Sequence, residues 1–135
     1  MSCKTPIIRA VFDSPTVQAV DALGIINLPE VTTNECCSNP VTGGVITLRT
    51  NGTYEIHFNC SLVATAAGPV EVQMYRNGSP VPGAHALGTA AAIGDNVNIA
   101  FTALASVDCC STTIDFRAID ATSVRVANAT IEEVK

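Results

Sequence analysis

Six cysteines are the residues of this chain best equipped for chemistry, and their spacing is unusual: Cys36-Cys37 and Cys109-Cys110 are adjacent pairs, while Cys3 and Cys60 stand apart. Two thiolates that share one zinc ion usually come from a Cys-x-x-Cys spacing, which lets both sulfurs face the metal. Adjacent cysteines lack that reach, which weighs against a zinc site built from Cys36, Cys37, Cys109 and Cys110. A disulfide inside either pair closes a small strained ring and is rare. Both pairs lie in polar stretches, "TTNECCSNP" and "SVDCCSTT". The reading that remains is cross-linking between loops or between subunits, with Cys3, Cys36, Cys37, Cys109 and Cys110 as intersubunit disulfide candidates. Cys60 is different in kind. It alternates with Phe58 and Leu62 along one strand face and is expected to be a buried free thiol.

The other reactive side chains are sparse. His57 and His85 are the only histidines, and each falls on the alternate, polar face of its strand. No Gly-x-Ser-x-Gly elbow, His-Glu-x-x-His pair or phosphate-cradling glycine loop is present. Asp13, Asp21, Asp95, Asp108, Asp115 and Asp120 are scattered and do not form an oxygen-ligand loop. The sequence therefore predicts a non-enzymatic protein with no cofactor and no metal.

These residues must be positioned by strands. From Gly43 onward the chain reads strand, turn, strand. Ile46 and Leu48 share a face in "GGVITLRT", and Asn51-Gly52 follows as a hairpin signal. Tyr54, Ile56, Phe58, Cys60, Leu62 and Ala64 then point one way, with Glu55, His57, Asn59 and Ser61 opposite. After Gly68-Pro69, Val70, Val72 and Met74 point inward, and Asn77-Gly78 turns the chain again. "AHALGTAAA" is a weak small-residue strand; Val97, Ile99 and Phe101 are predicted inward after Gly94-Asp95, and Ile114 and Phe116 after Cys109-Cys110. "TVQAVDALGII" has some helical spacing, but Gly24 and its β-branched flanks oppose a helix. The last strand, "SVRVANATIEEV", puts Val124 and Val126 on one face and Ala127, Ala129 and Ile131 on the other. A strand apolar on both faces needs two covers. These five residues are the trimer interface candidates.

With 135 residues the chain is expected to be one domain, 6–135, after a short N-terminal arm, 1–5. Charged residues make up only 14% of it against 47% hydrophobic ones, which suggests a surface covered by copies of itself. A net charge of −5 without a basic run argues against nucleic acid as a partner. No stretch has the roughly 20 apolar residues of a membrane-spanning helix, so no membrane insertion is expected. "MSCKTPIIRAVFDSP" has no apolar core or small-residue cleavage site, so synthesis in a cytosol without a signal peptide is expected. The Asn-x-Ser/Thr sequons at Asn51, Asn59, Asn77 and Asn128 are then read as chance.

Several short strands between Gly, Pro and Asn turns mean an antiparallel sandwich or jelly roll. "GTY" opening the long strand, "YRNGSPVPGA" after the next, and the endings "IDFRAID" and "SVRVANATIEEVK" carry a resemblance. They resemble the jelly-roll domain of the C1q/TNF-like superfamily, in particular its bacterial branch, the C-terminal domain of Bacillus collagen-like spore-surface (exosporium) glycoproteins. The likeness covers about residues 44 to 135 well. It implies an all-β antiparallel jelly-roll sandwich that forms a homotrimer, with each last strand near the threefold axis. Some relatives bind calcium near the trimer apex, but no matching loop is visible in this sequence. The collagen stalk is absent and the cysteine pairs are additional, so display on a stalk is not carried over.

The functional expectation is a trimeric subunit of a bacterial surface or spore appendage fibre. Alternatives are a phage virion protein (a capsid decoration or fibre head) and a ligand-binding lectin-like module. Counting strand reversals from Val45 puts Cys36-Cys37 and Cys109-Cys110 at opposite poles of the sandwich, with Cys3 near Cys109-Cys110. Trimers stacked head to tail would then be joined by disulfides into a fibre, on a spore or cell surface or in a virion. The anchoring protein is unknown.

Overall fold

The computed structural model describes residues 7–33, 41–108 and 110–134, so Cys3, Cys36, Cys37 and Cys109 lie outside the described residues. The described chain forms ten strands and no helix. They are β1 (Ile7–Val20), β2 (Glu30–Thr33), β3 (Val41–Thr42), β4 (Val45–Leu48) and β5 (Gly52–Val63), then β6 (Gly68–Arg76), β7 (Ser79–Ala90), β8 (Asn96–Val107), β9 (Thr112–Ala118) and β10 (Thr122–Val134). Two five-stranded sheets result: a front sheet ordered β2-β1-β10-β5-β8 and a back sheet ordered β3-β4-β9-β6-β7. Every named pairing is antiparallel. This is the jelly-roll sandwich expected from the alternation of the strands.

The alternation of β5 holds along its whole length: Tyr54, Ile56, Phe58, Cys60, Leu62 and Ala64 are all buried. Phe58 stacks on Phe116 of β9 with centroids 4.2 Å apart and also meets Phe101 of β8 at 5.4 Å. One aromatic cluster thus joins the two sheets, in the offset arrangements that ring quadrupoles favour. Val70, Val72 and Met74 fill the core from β6, and Ile46, Leu48 and Ile114 from β4 and β9.

Turn residues behave in two ways. Asn77 and Gly78 both have positive φ (50° and 81°), and Arg76 pairs with Ser79 across them, so β6 and β7 form a tight hairpin as expected. Asn51-Gly52 does not make a hairpin. β4 pairs with β9 and β5 with β10 and β8, so this turn carries the chain between sheets. A turn code specifies local reversal, while the partner is chosen by burial of the whole strand face.

A second correction concerns polarity. β3 pairs with β4 through Val41↔Ile46 and Thr42↔Val45, a hairpin absent from the sequence reading. Its turn, Gly43-Gly44, sits so close to residue 26 that a Cβ on Gly44 would lie 2.2 Å from the Ile26 carbonyl oxygen. The chain therefore runs the opposite way before Val45. Val41 is directed toward the pole that holds Gly52, Val107 and Thr112, and so is Thr33, which pairs with Ile8 near the start of β1. The described residues flanking the segments with Cys3 (Ile7) and Cys36-Cys37 (Thr33, Val41) all face the Cys110 pole. The expectation of opposite poles rested on an uninterrupted strand at Val45; that premise does not hold, and Cys3, Cys36, Cys37 and Cys109 themselves lie outside the described residues.

The third correction lies in β10. The strand is irregular between Val124 and Val126, which pair with Leu62 and Ser61, so Arg125 is an extra residue in the ladder. The slip returns the next residues to the face of Val124. Val124, Ala127, Ala129 and Ile131 are all buried in the chain's own core, and only Val126 looks outward, half-buried. The strand that read as apolar on both faces is apolar on one.

Candidate functional site

The register fixes what the outer face of the front sheet displays. Reading across β1, β10, β5 and β8, its middle rows are Asp13–Val126–Ser61–Asn98 and Val11–Asn128–Asn59–Ala100. The rows nearer the Gly52 pole are Arg9–Thr130–His57–Thr102 and Ile7–Glu132–Glu55–Leu104. Short neutral side chains therefore occupy the centre, and the ionisable ones sit toward its margins. Around Val126, Asn59, Ser61, Asn98 and Ala100 the small side chains leave a shallow depression of about 270 Å³. Asn128 lies beside it with a buried Oδ1 that has no hydrogen-bond partner. A buried acceptor left unpaired costs roughly 1–3 kcal/mol, and this one is sealed within the chain rather than offered at the surface.

Near the margin, His57 Nε2 contacts Glu55 Oε1, and Thr102 Oγ1 lies 3.2 Å from His57 Nδ1. Arg125 donates to the Ser14 carbonyl and to Asp13 Oδ1 at 3.3 Å. These are exposed pairs, and such pairs contribute little to stability.

The outer face of the back sheet is built differently. Arg117 Nε donates to Asp115 Oδ1 at 2.8 Å, and its guanidinium lies 4.2 Å from the centroid of the Tyr75 ring. That hydrogen bond, accepted by the Asp115 carboxylate, raises the Arg117 pKa above its ordinary value. Gln73 Nε2 donates to the carbonyls of Val81 and Ala84 at 2.7 and 3.2 Å, and so fixes the irregular turn from Val81 to Ala84. His85 Nδ1 lies 2.8 Å from Glu71 Oε2. Sequence reading missed the Asp115–Arg117 pair. Its signal was an Asp and an Arg two apart on one strand face.

The cysteines divide as far as they are described. Cys60 is 5% exposed under the front face, and burial pushes its thiol pKa up to about 12. Its thiol forms no disulfide among the described residues. Cys110 is exposed at the Gly52 pole. Among the described residues no group of three or more His, Cys, Asp or Glu side chains is placed to hold a metal ion.

No protein family's sequence profile matches the chain, and no curated protein does either. Solved structures do. The globular domain of zebrafish complement 1qA superposes with a TM-score of 0.70 over 96% of this chain and 98% of that one, at 10% identity. The fold is the C1q/TNF-like jelly roll. Eiger TNF from S. frugiperda agrees equally well, with a TM-score of 0.70 at 10% identity over 96% of this chain and 94% of its own. Murine APRIL follows at 0.67 and 6% identity, covering 97% of this chain and all (100%) of that one. At such identities the shared property is the jelly roll itself.

Proposed function

We propose that this protein is a non-enzymatic structural module that works as a homotrimer, with the outer face of its front sheet turned toward the threefold axis. The observation that carries the reading is that face: neutral and low in charge at its centre, with a shallow depression around Val126. The likeness to C1q/TNF-like jelly rolls supports the trimer. Of the interface candidates from the sequence, Val126 is the one that faces outward. Val11, Asn59, Asn98, Ala100 and Asn128 join it, and Val124, Ala127, Ala129 and Ile131 support it from beneath.

In its working state the trimer belongs to a particle or cell surface, as a subunit of a spore or cell appendage or of a virion. The thiols fit that setting. Disulfides between trimers made through the pole at which Cys110 is exposed would join like pole to like pole. Such a contact closes on itself, whereas the stacked fibre needs a head-to-tail contact that repeats. Light scattering on the purified protein is expected to give three times the 14.0 kDa chain mass under reducing conditions and twice that trimer mass after oxidation. A stable monomer at micromolar concentration overturns the trimer. A ladder of larger multiples after oxidation restores the fibre.

A further inference from the structure

We propose that the copies interlock at one defined contact, in which Leu104 of one chain seats in the groove beside Ile7 of the next. The inference rests on the trimer reading and adds to it the residues that set its geometry. Leu104 projects from β8 at one edge of the front sheet and is 62% exposed. At the other edge, between β1 and β2, lies a groove of about 370 Å³ lined by Ile7, Arg9, Thr32, Thr33 and Thr130.

The register places knob and groove at the same height. Ile7 pairs with Glu132, Glu132 with Glu55, and Glu55 with Leu104, so one row runs from the groove to the knob. Rotation about an axis along the strands carries a residue round the axis without raising or lowering it. Equal height at opposite edges is therefore what a closed ring requires, since each copy offers one knob and receives another. A knob set higher than its groove would build a rising helix of subunits instead.

Charge agrees with shape. Glu55 stands directly across the ladder from Leu104, and Arg9 lines the groove. When Leu104 enters the next chain's groove, Glu55 arrives at the height of that chain's Ile7 and Glu132, one outward-facing row from its Arg9, within reach of the long arginine side chain. The pair would be opposite in sign at every junction of the ring, which favours this register over others. Among the described residues the ionic partner given for Glu55 is the exposed His57, which meets it at Oε1.

The test uses the full chain and reads oligomer mass against concentration. Leu104→Asp is expected to weaken trimer formation by about tenfold or more per junction, the effect of losing a buried leucine contact, with the thermal midpoint of the dissociated chain unchanged. Arg9→Glu and Glu55→Arg are each expected to weaken it severalfold, and the double exchange to recover most of the loss. A trimer that survives Leu104→Asp, or a double exchange no better than either single change, overturns this contact while leaving the trimer in place. A wild-type chain that runs as a monomer overturns both.

Discussion

The two outer faces of this sandwich solve the same problem differently. On the back sheet the ionisable and amide groups meet one another: Arg117 with Asp115 and Tyr75, His85 with Glu71, Gln73 with two carbonyls of the following loop. That face is complete within one chain. On the front sheet the centre is Val11, Asn128, Asn59 and Ala100 in one row, with a buried Asn128 oxygen that nothing in the chain satisfies. Charged groups are kept to its margins. The difference teaches where cover is expected: a face whose centre is low in charge is the one suited to burial against another copy.

The comparison can be broken most directly by putting the same charge on each face. Ala100→Asp, exposed at mid-height on the edge strand β8 of the front face, is expected to abolish self-association, because a carboxylate buried there without a partner costs several kcal/mol. Leu87→Asp on the back sheet, where the side chain is 57% exposed, is expected to leave the particle mass unchanged. Light scattering of both variants decides the matter, and equal effects would erase the distinction between the faces.

A smaller effect tests whether the back face is indeed finished internally. Asp115 has only 5% of its side chain exposed, and Arg117 has 24%. Asp115→Ala is expected to lower chain stability by about 2 kcal/mol, since it leaves a partly buried guanidinium without its acceptor. Oligomer mass is expected to stay the same. Urea unfolding read beside light scattering separates the two quantities.

The mildest expectation concerns the core between the faces. The Cys60 thiol has a pKa near 12 in the folded chain against an ordinary 9.0. Below pH 9 the thiol is neutral in both states, and its contribution is intact. Between pH 9 and 12 the unfolded chain gives up the proton and the folded chain keeps it, so stability falls as pH rises, by roughly 1 kcal/mol per pH unit. Denaturation midpoints taken from pH 8 to 10.5 should show the decline, and Cys60→Ala should flatten it.

What was legible in the sequence follows from how local its cause is. The inward set from Tyr54 to Ala64 was readable because β5 has no irregularity, so its period of two survives along the strand. β10 carries the same kind of information, but the extra residue at Arg125 shifts the phase. One buried face then reads as two half-faces. β3 has only two residues, too few for any period, and its omission reversed the polarity assigned to the chain before Val45. Asn51-Gly52 shows the limit of turn chemistry, because a reversal says nothing about which sheet receives the next strand. The front face could not be read as a site at all. Its members are ordinary Asn, Ser, Thr, Ala and Val residues from four strands, and only the assembled register sets them side by side.

The neighbouring placement of β1 and β10 gives the molecule a wiring end. Ile7 and Glu132 are ladder partners, so the first and last described residues of the sandwich emerge at the same pole, beside Cys110 and the Asn77-Gly78 hairpin. Among the described residues the far pole carries internal loops, one of them Ala91 to Asp95, closed by the Asp95 carboxylate accepting from the amides of Ala91 and Ala92 at 3.0 Å each. Anything attached through either end of the domain would hang from one side and leave the other bare. A short linker could also join the two ends and let the chain be opened at Ile93 instead, where the side chain is 73% exposed, so that the handle moves to the opposite pole without disturbing a strand.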